Sequence, residues 1–172
     1  MRDFSPLLTA QDIEDKVAAL AEKISTDYKD KDLVLVGVLK GAFIFLADLV
    51  RKLTIPVTID FVWCSSYGHG KASSGKVERM SGIRTDIAGK HVLIVEDILD
   101  TGITIRELLV YLESFTPESI KVCAFIDKHE RRGIDVKADY AGHRVEKGFL
   151  VGYGLDYAEK YRHLPAIYEL KT

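Results

Sequence analysis

The sequence predicts an α/β fold: a single domain with a mainly parallel central sheet flanked by helices. Three observations carry that expectation. The apolar runs Leu33–Val38 and Val92–Val95 show no polar alternation, as in strands buried on both faces. Each run is followed by a glycine-containing turn and then by a helical pattern. Strand and helix patterns alternate along 172 residues, a length that makes one domain with a proper core.

Thr9 with Asp12 opens the first helix, whose Ile13, Val17, Leu20, Ala21 and Ile24 share one face. Leu33–Val38 is the first buried strand, Gly41 marks its exit, and Ala42–Leu53 reads as a helix. Val57–Trp63 is rich in β-branched and aromatic residues and reads as a strand. Tyr67–Met80 is rich in Gly, Ser and Lys, with no core candidate beyond Val77, and predicts a long exposed loop. So long a polar loop in a compact domain suggests a functional lid, over about residues 65–80. Val92–Val95 is the central strand, Ile103–Phe115 its helix, Ser119–Ile126 another strand, and Tyr140–Val151 carries short strands. With no internal repeat and no low-complexity linker, residues 1–172 read as one domain.

Composition excludes several classes. A net charge of −2 gives no general attraction to nucleic acid or to an anionic membrane. The longest apolar stretch, Ala42–Val50, is broken by Asp48 and is too short to span a bilayer. The N-terminal residues carry no signal-peptide pattern. Cys64 and Cys123 are too few for a disulfide framework and lack metal-ligand spacing. Both lie in apolar runs and read as buried thiols, and a reducing cytoplasm is the expected location.

The chemistry concentrates in HVLIVEDILDTGIT, His91–Thr104. An apolar strand runs into Glu96 and Asp97; Asp100, Thr101, Gly102 and Thr104 then lead into a helix. Such a turn offers backbone N–H groups and two hydroxyls to a phosphate, helped by the positive end of the helix. Two carboxylates would repel that phosphate. They suit hydroxyl donors or a hard cation, such as a ribose diol or Mg²⁺. Phosphate and sugar side by side mean a ribose 5-phosphate. The stretch resembles, position by position, the phosphoribosyl-pyrophosphate (PRPP) motif of the type I phosphoribosyltransferases, with Ile103 at the variable place. An ordinary strand-to-helix turn capped by Asp100 or Thr101, or a receiver domain with paired acids, is the bland alternative; a receiver would carry its acids near the N-terminus.

Further segments resemble the hypoxanthine-guanine branch of that family, and the likeness runs from about Leu33 to the end. It implies the type I fold, with a small hood built from the chain ends and a mobile loop. Leu39, Lys40 and Gly41 match the pyrophosphate loop, in which the family often has a non-proline cis peptide, here Leu39–Lys40. Ser66 and Tyr67 match the pair that opens the mobile catalytic loop and would exclude water from the reacting sugar carbon. Trp63 and His69 are departures without a firm role. Lys128 matches the lysine that selects 6-oxopurines. An ammonium can donate to a carbonyl oxygen but accepts nothing from an adenine amino group. Phe149 would stack on the purine, the Leu150 backbone would read its edge, and Asp156 would line the purine site and hold a second Mg²⁺. Arg162 would grip pyrophosphate oxygens as a fork. His129–Gly133, HERRG, reads as a basic surface turn.

The resemblance implies purine attack on C1 of PRPP with loss of pyrophosphate, giving IMP or GMP. Glu96 and Asp97 would hold the ribose diol and one Mg²⁺. Ile98, Leu99 and Asp100, where the strand enters the turn, would also bind PRPP, and Thr101, Gly102, Ile103 and Thr104 would cradle the 5′-phosphate. Asp100 would act as general base at purine N7. Substrates would be PRPP and a 6-oxopurine base, with no nucleic-acid or membrane partner and a homodimer or homotetramer as the assembly. Leu39–Leu53 or Met80–Arg84 could supply the interface. The rival readings are a PRPP- or nucleotide-sensing regulator of the same fold, for which the KHERR patch would be the RNA contact, and a xanthine or pyrimidine phosphoribosyltransferase.

Overall fold

The computed structural model describes residues 4–66 and 77–171, with all side chains except those of 65–66 and 77–80. The chain order is β1 (Phe4–Leu8), α1 (Ala10–Asp27), β2 (Leu33–Leu39), α2 (Phe43–Lys52), β3 (Val57–Ser66), β4 (Val77–Met80) and β5 (His91–Leu99). It continues through α3 (Ile103–Glu113), β6 (Ser119–Lys128), β7 (Tyr140–Val145), β8 (Leu150–Val151) and β9 (Ile167–Leu170). The main sheet has the order β4-β3-β2-β5-β6-β7. All its pairs are parallel except β3 with β4.

Strand alternation splits the core in two. Leu33, Leu35, Leu93, Val95, Cys123 and Phe125 face α1 and α2, where they meet Ile13, Val17, Ile24, Phe45 and Leu49. Val34, Val36, Val92, Ile94, Val122 and Ala124 face the other way and meet Ile105, Leu108 and Leu112 of α3. Because both faces are covered, the central strands carry uninterrupted apolar runs. Helix α1 starts at the expected capping box: the Thr9 hydroxyl accepts from the Asp12 N–H, and the Asp12 carboxylate accepts from the Thr9 N–H.

Two elements differ from expectation, and a third, the hood, takes a form that the sequence did not specify. Val77–Met80 is a strand rather than loop, pairing antiparallel with Cys64–Ser66 at the sheet edge. The ladder carries β3 beyond Trp63 to Ser66. Pairing between β3 and β4 is a tertiary contact that local composition does not announce. The expected hood is a three-stranded antiparallel sheet, β1-β9-β8, in which residues 4–8 meet 167–170. Its strands are too short and too far apart in sequence to be read singly. Lastly, α3 stops at Glu113 rather than Phe115.

The topology sets the site. From β2 the chain crosses to β3 on one side, and from β5 it crosses to β6 on the other. Ligand crevices in open parallel sheets form at such a switch, beyond the carboxyl ends of the two adjacent strands. Those ends are Leu39 and Leu99.

Candidate active site

Two cavities open beyond these strand ends. One, of about 310 Å³, is walled by Leu39, Gly41, Cys64, Glu96–Gly102, Thr104, Asp156 and Arg162, among others. The other, of about 430 Å³, is walled by Lys128, Glu130, Arg131, Phe149, Leu150 and Leu155. Asp97, Ile98, Asp100 and Asp156 belong to both walls. The fold therefore builds a polar chamber beside a chamber with an exposed aromatic face, and Asp100 stands between them.

In the polar chamber, Glu96 is only 7% exposed. Its carboxylate accepts from the Asp97 N–H at 3.1 Å, and that of Asp97 accepts from the Ile98 N–H at 2.9 Å. Burial, and then the charge of Asp97, push the Glu96 carboxyl well above its usual range. Burial also raises Asp97, against its hydrogen bonds from Glu96 and Ile98 and the positive charge of Arg162. Two buried acids that resist ionising together are a fitting seat for a cation or a diol. Cys64 lies on this wall, half-buried rather than fully buried as expected, and burial beside Glu96 pushes its thiol up to about 11.

The turn from β5 to α3 is held open by backbone geometry. Gly102 has φ of +85°, which only glycine adopts freely, and it caps α3 without a side-chain cap. Neither Asp100 nor Thr101 caps the helix end, although the Thr101 hydroxyl accepts from the Ile103 N–H at 3.3 Å. Ile103 is thereby engaged within the turn. The Leu39–Lys40 peptide is cis, as the resemblance implied. A Cβ added at Gly41 would overlap the Asp97 carboxylate, and one at Gly154 would overlap the Gly41 carbonyl. The loop after β8, the β2 exit and the Asp97 carboxylate thus approach one another closely, with no room for larger residues.

The cationic groups are poised but occupied. Lys40 Nζ pairs with Glu159 at 2.7 Å and lies 5.4 Å from the Trp63 ring, which gives Trp63 a contact the sequence did not suggest. Arg162 pairs with Asp156 at 2.8 Å and Glu159 at 3.3 Å, and donates to the Gly154 carbonyl at 2.7 Å. Glu159 therefore sits between the two cations expected to hold pyrophosphate. Its own carboxyl is lowered, chiefly by the hydrogen bond from Lys40.

In the second chamber, Lys128 ends β6 at 5% exposure, with Nζ 3.7 Å from Asp100 and 3.4 Å from Glu130. Phe149 is 43% exposed, with its ring edge-to-face on Tyr157 at 5.5 Å, and Leu150 is buried beside it in β8. Among the described residues, Asp100 Oδ1 and Arg162 Nε are buried without a hydrogen-bond partner. Buried polar atoms are nearly always satisfied; these two belong to residues that wall the polar chamber, whereas Tyr28 Oη, a third such atom among the described residues, lies away from it. Ser66 ends β3, and Tyr67 and His69 lie outside the described residues.

Residues missed by the sequence are Glu159, Glu130 and above all Arg132. HERRG is not simply a basic surface turn: the Arg132 side chain is 13% exposed and makes five hydrogen bonds. No periodicity signals this, because its partners are mostly main-chain carbonyls.

A parallel sheet with a switch point, a glycine turn after paired acids, and an aromatic chamber beside it are the parts that a sugar-phosphate-transferring α/β enzyme needs. Comparison with known families agrees: residues 4–158 match the phosphoribosyl transferase domain, and the chain belongs to that family. The hypoxanthine-guanine phosphoribosyltransferase of Aquifex aeolicus is 48% identical over 163 residues, 94% of this chain and 92% of the relative. The hypoxanthine phosphoribosyltransferase of Escherichia coli K12 is 40% identical over the same shares. A crystal structure of hypoxanthine phosphoribosyltransferase from Staphylococcus aureus superposes with a TM-score of 0.92 at 41% identity, covering 97% of this chain and 91% of that one.

Proposed function

We infer that this chain is a purine salvage enzyme that transfers the 5-phosphoribosyl group of PRPP to hypoxanthine, and to guanine, releasing pyrophosphate. The observation that carries the reading is the orphaned Asp100 oxygen on the wall shared by the two chambers. A group there reaches both a sugar and the base that attacks it.

Each residue then has a task. Thr101, Gly102 and Thr104, at the positive end of α3, bind the 5′-phosphate. Glu96 and Asp97 accept from the ribose hydroxyls. Lys40 and Arg162 leave Glu159 and take up pyrophosphate, so negative charge developing on the leaving group meets fixed cations. Phe149 stacks on the purine, Lys128 donates to its 6-oxo group, and the Leu150 backbone reads the far edge. Asp100 accepts the N7 proton as the base attacks. Ser66 and Tyr67 belong to a segment that would exclude water during transfer.

Mg²⁺ is the cofactor in this reading. Glu96 and Asp97 offer hard oxygens to one ion and Asp156 to a second, and the raised carboxyls of the first two would be relieved by a cation. No cluster of three ligating side chains forms among the described residues. When bound it supplies charge that screens the pyrophosphate. We place the reaction in the cytoplasm; among the described residues no helix is long and apolar enough to cross a membrane. Self-association as a homodimer or homotetramer completes the proposal. Phe43, Ile59, Phe61 and Trp63 are the apolar side chains exposed on or beside the sheet face that carries α2.

Phosphorus NMR tests the reaction directly. PRPP, hypoxanthine and Mg²⁺ with the enzyme should give pyrophosphate and a nucleoside monophosphate in equal amounts, and EDTA should stop both. Slow PRPP hydrolysis alone, with no nucleotide, would contradict the reading.

A further inference from the structure

We propose that Arg132 is a positioning residue that sets Asp100 and Lys128 in register across the two strands that carry them. The inference rests on the roles given above to those two residues.

Strands β5 and β6 are neighbours, and their ladder ends where Leu99 pairs with Asp127. The next residue on each strand is Asp100 on one and Lys128 on the other. Beyond the ladder, the Leu99 and Asp100 carbonyls have lost the strand partners that would fix them, and buried carbonyls need donors. Arg132 supplies them from the turn after β6. Its Nε donates to the Asp100 carbonyl at 3.0 Å, and its Nη2 to the Leu99 carbonyl at 2.8 Å. The same Nη2 reaches the Lys128 carbonyl at 2.9 Å and the Asp127 carboxylate at 2.6 Å. Nη1 donates to the Val136 carbonyl at 2.8 Å and so anchors its own loop.

One planar fork therefore holds the main chain on both sides of the chamber boundary. A guanidinium has five N–H donors in fixed directions; here Nε and Nη1 each meet one acceptor, and the two hydrogens of Nη2 are shared among three. Its charge is matched by Asp127, itself 4% exposed and also approached by His129 at 3.3 Å. The Arg132 stem also lies 3.6 Å from where a Gly102 side chain would begin, so it underpins the phosphate turn as well. All five acceptors are protein groups, so Arg132 works through Asp100 and Lys128 rather than on substrate. Lysine could keep the pairing with Asp127, but its single ammonium cannot span carbonyls on two strands.

The test measures kcat with PRPP and hypoxanthine, together with Tm, for Arg132→Lys, Asp100→Asn and the double variant. Arg132→Lys should still fold, with Tm lowered by the carbonyls left without donors, while kcat falls about 100-fold, the cost of a misplacement near 1 Å. In the Asp100→Asn background the same change should lower kcat by clearly less, about 10-fold or below, because one of the two groups being positioned is already gone. Wild-type kcat in Arg132→Lys, or equal losses in both backgrounds, would overturn the inference while leaving Asp100 in place. Wild-type kcat in Asp100→Asn would overturn the Asp100 assignment, and this inference with it.

Discussion

At the scale of single residues, the site is a set of charged groups whose partners are incomplete without substrate. Asp100 is the sharpest case. With one oxygen unpartnered and the other facing Lys128, Asp100→Ala should lower kcat by about 10²–10⁴-fold in steady-state assays, while PRPP affinity changes little. An unchanged kcat would remove it from proton transfer. Lys128→Ala leaves a purine carbonyl without a charged donor, a loss of about 1.5–3 kcal/mol. Purine kcat/KM should then fall roughly 10–100-fold, with selectivity over adenine eroded; equal losses for PRPP and purine binding would argue against a selector. Glu159 pairs with both Lys40 and Arg162, and in the proposed reading it would compete with pyrophosphate for them. Those groups are substantially exposed apart from Arg162, so Glu159→Gln should lower the PRPP KM only about 2–5-fold, measurable by initial rates. Motif residues such as Asp100 were legible in the sequence because their spacing after a buried strand is itself the signal. Arg132 and Glu159 were not, since each matters only through groups that the fold brings to it from other elements.

At the scale of elements, the turns that leave β2 and β5 build the site. The apolar runs of these strands and their glycine turns were readable, and so was the identity of the helices behind them. The hood was not readable strand by strand: β1 and β9 pair ends of the chain, and neither shows a clear period within its few residues. Where the elements meet they leave no slack. Gly41→Ala would drive a methyl into the Asp97 carboxylate, so kcat/KM for PRPP should fall by about 10²-fold or more with the fold intact by circular dichroism. Near-normal PRPP kinetics would show that the β2 exit can move. Cys64, on the same wall, has its thiol raised to about 11. Only the thiolate reacts with alkylating reagents, so labelling by iodoacetamide should be slow at pH 8 and accelerate as pH rises toward that value. Fast labelling at neutral pH would place Cys64 outside the chamber.

At the scale of the whole molecule, two half-cores clamp one sheet, and the catalytic groups occupy the edge where neither half-core reaches. That division lets the sheet be rigid while the ends of β2, β5 and β6 stay polar and open to ligand. It also limits the regulator reading. Of the KHERR patch, Lys128 and Arg132 are turned inward to the sheet's end, which leaves little basic surface for RNA. The claim that joins all three scales is that one crevice selects a 6-oxopurine and gives it a phosphoribosyl group. A spectrophotometric assay with PRPP and Mg²⁺ against hypoxanthine, guanine, xanthine, adenine and uracil in parallel tests it most directly. Turnover of hypoxanthine or guanine, with none for adenine or uracil, is the expected result. Turnover of adenine or uracil in place of the 6-oxopurines, or of no base at all, would contradict it.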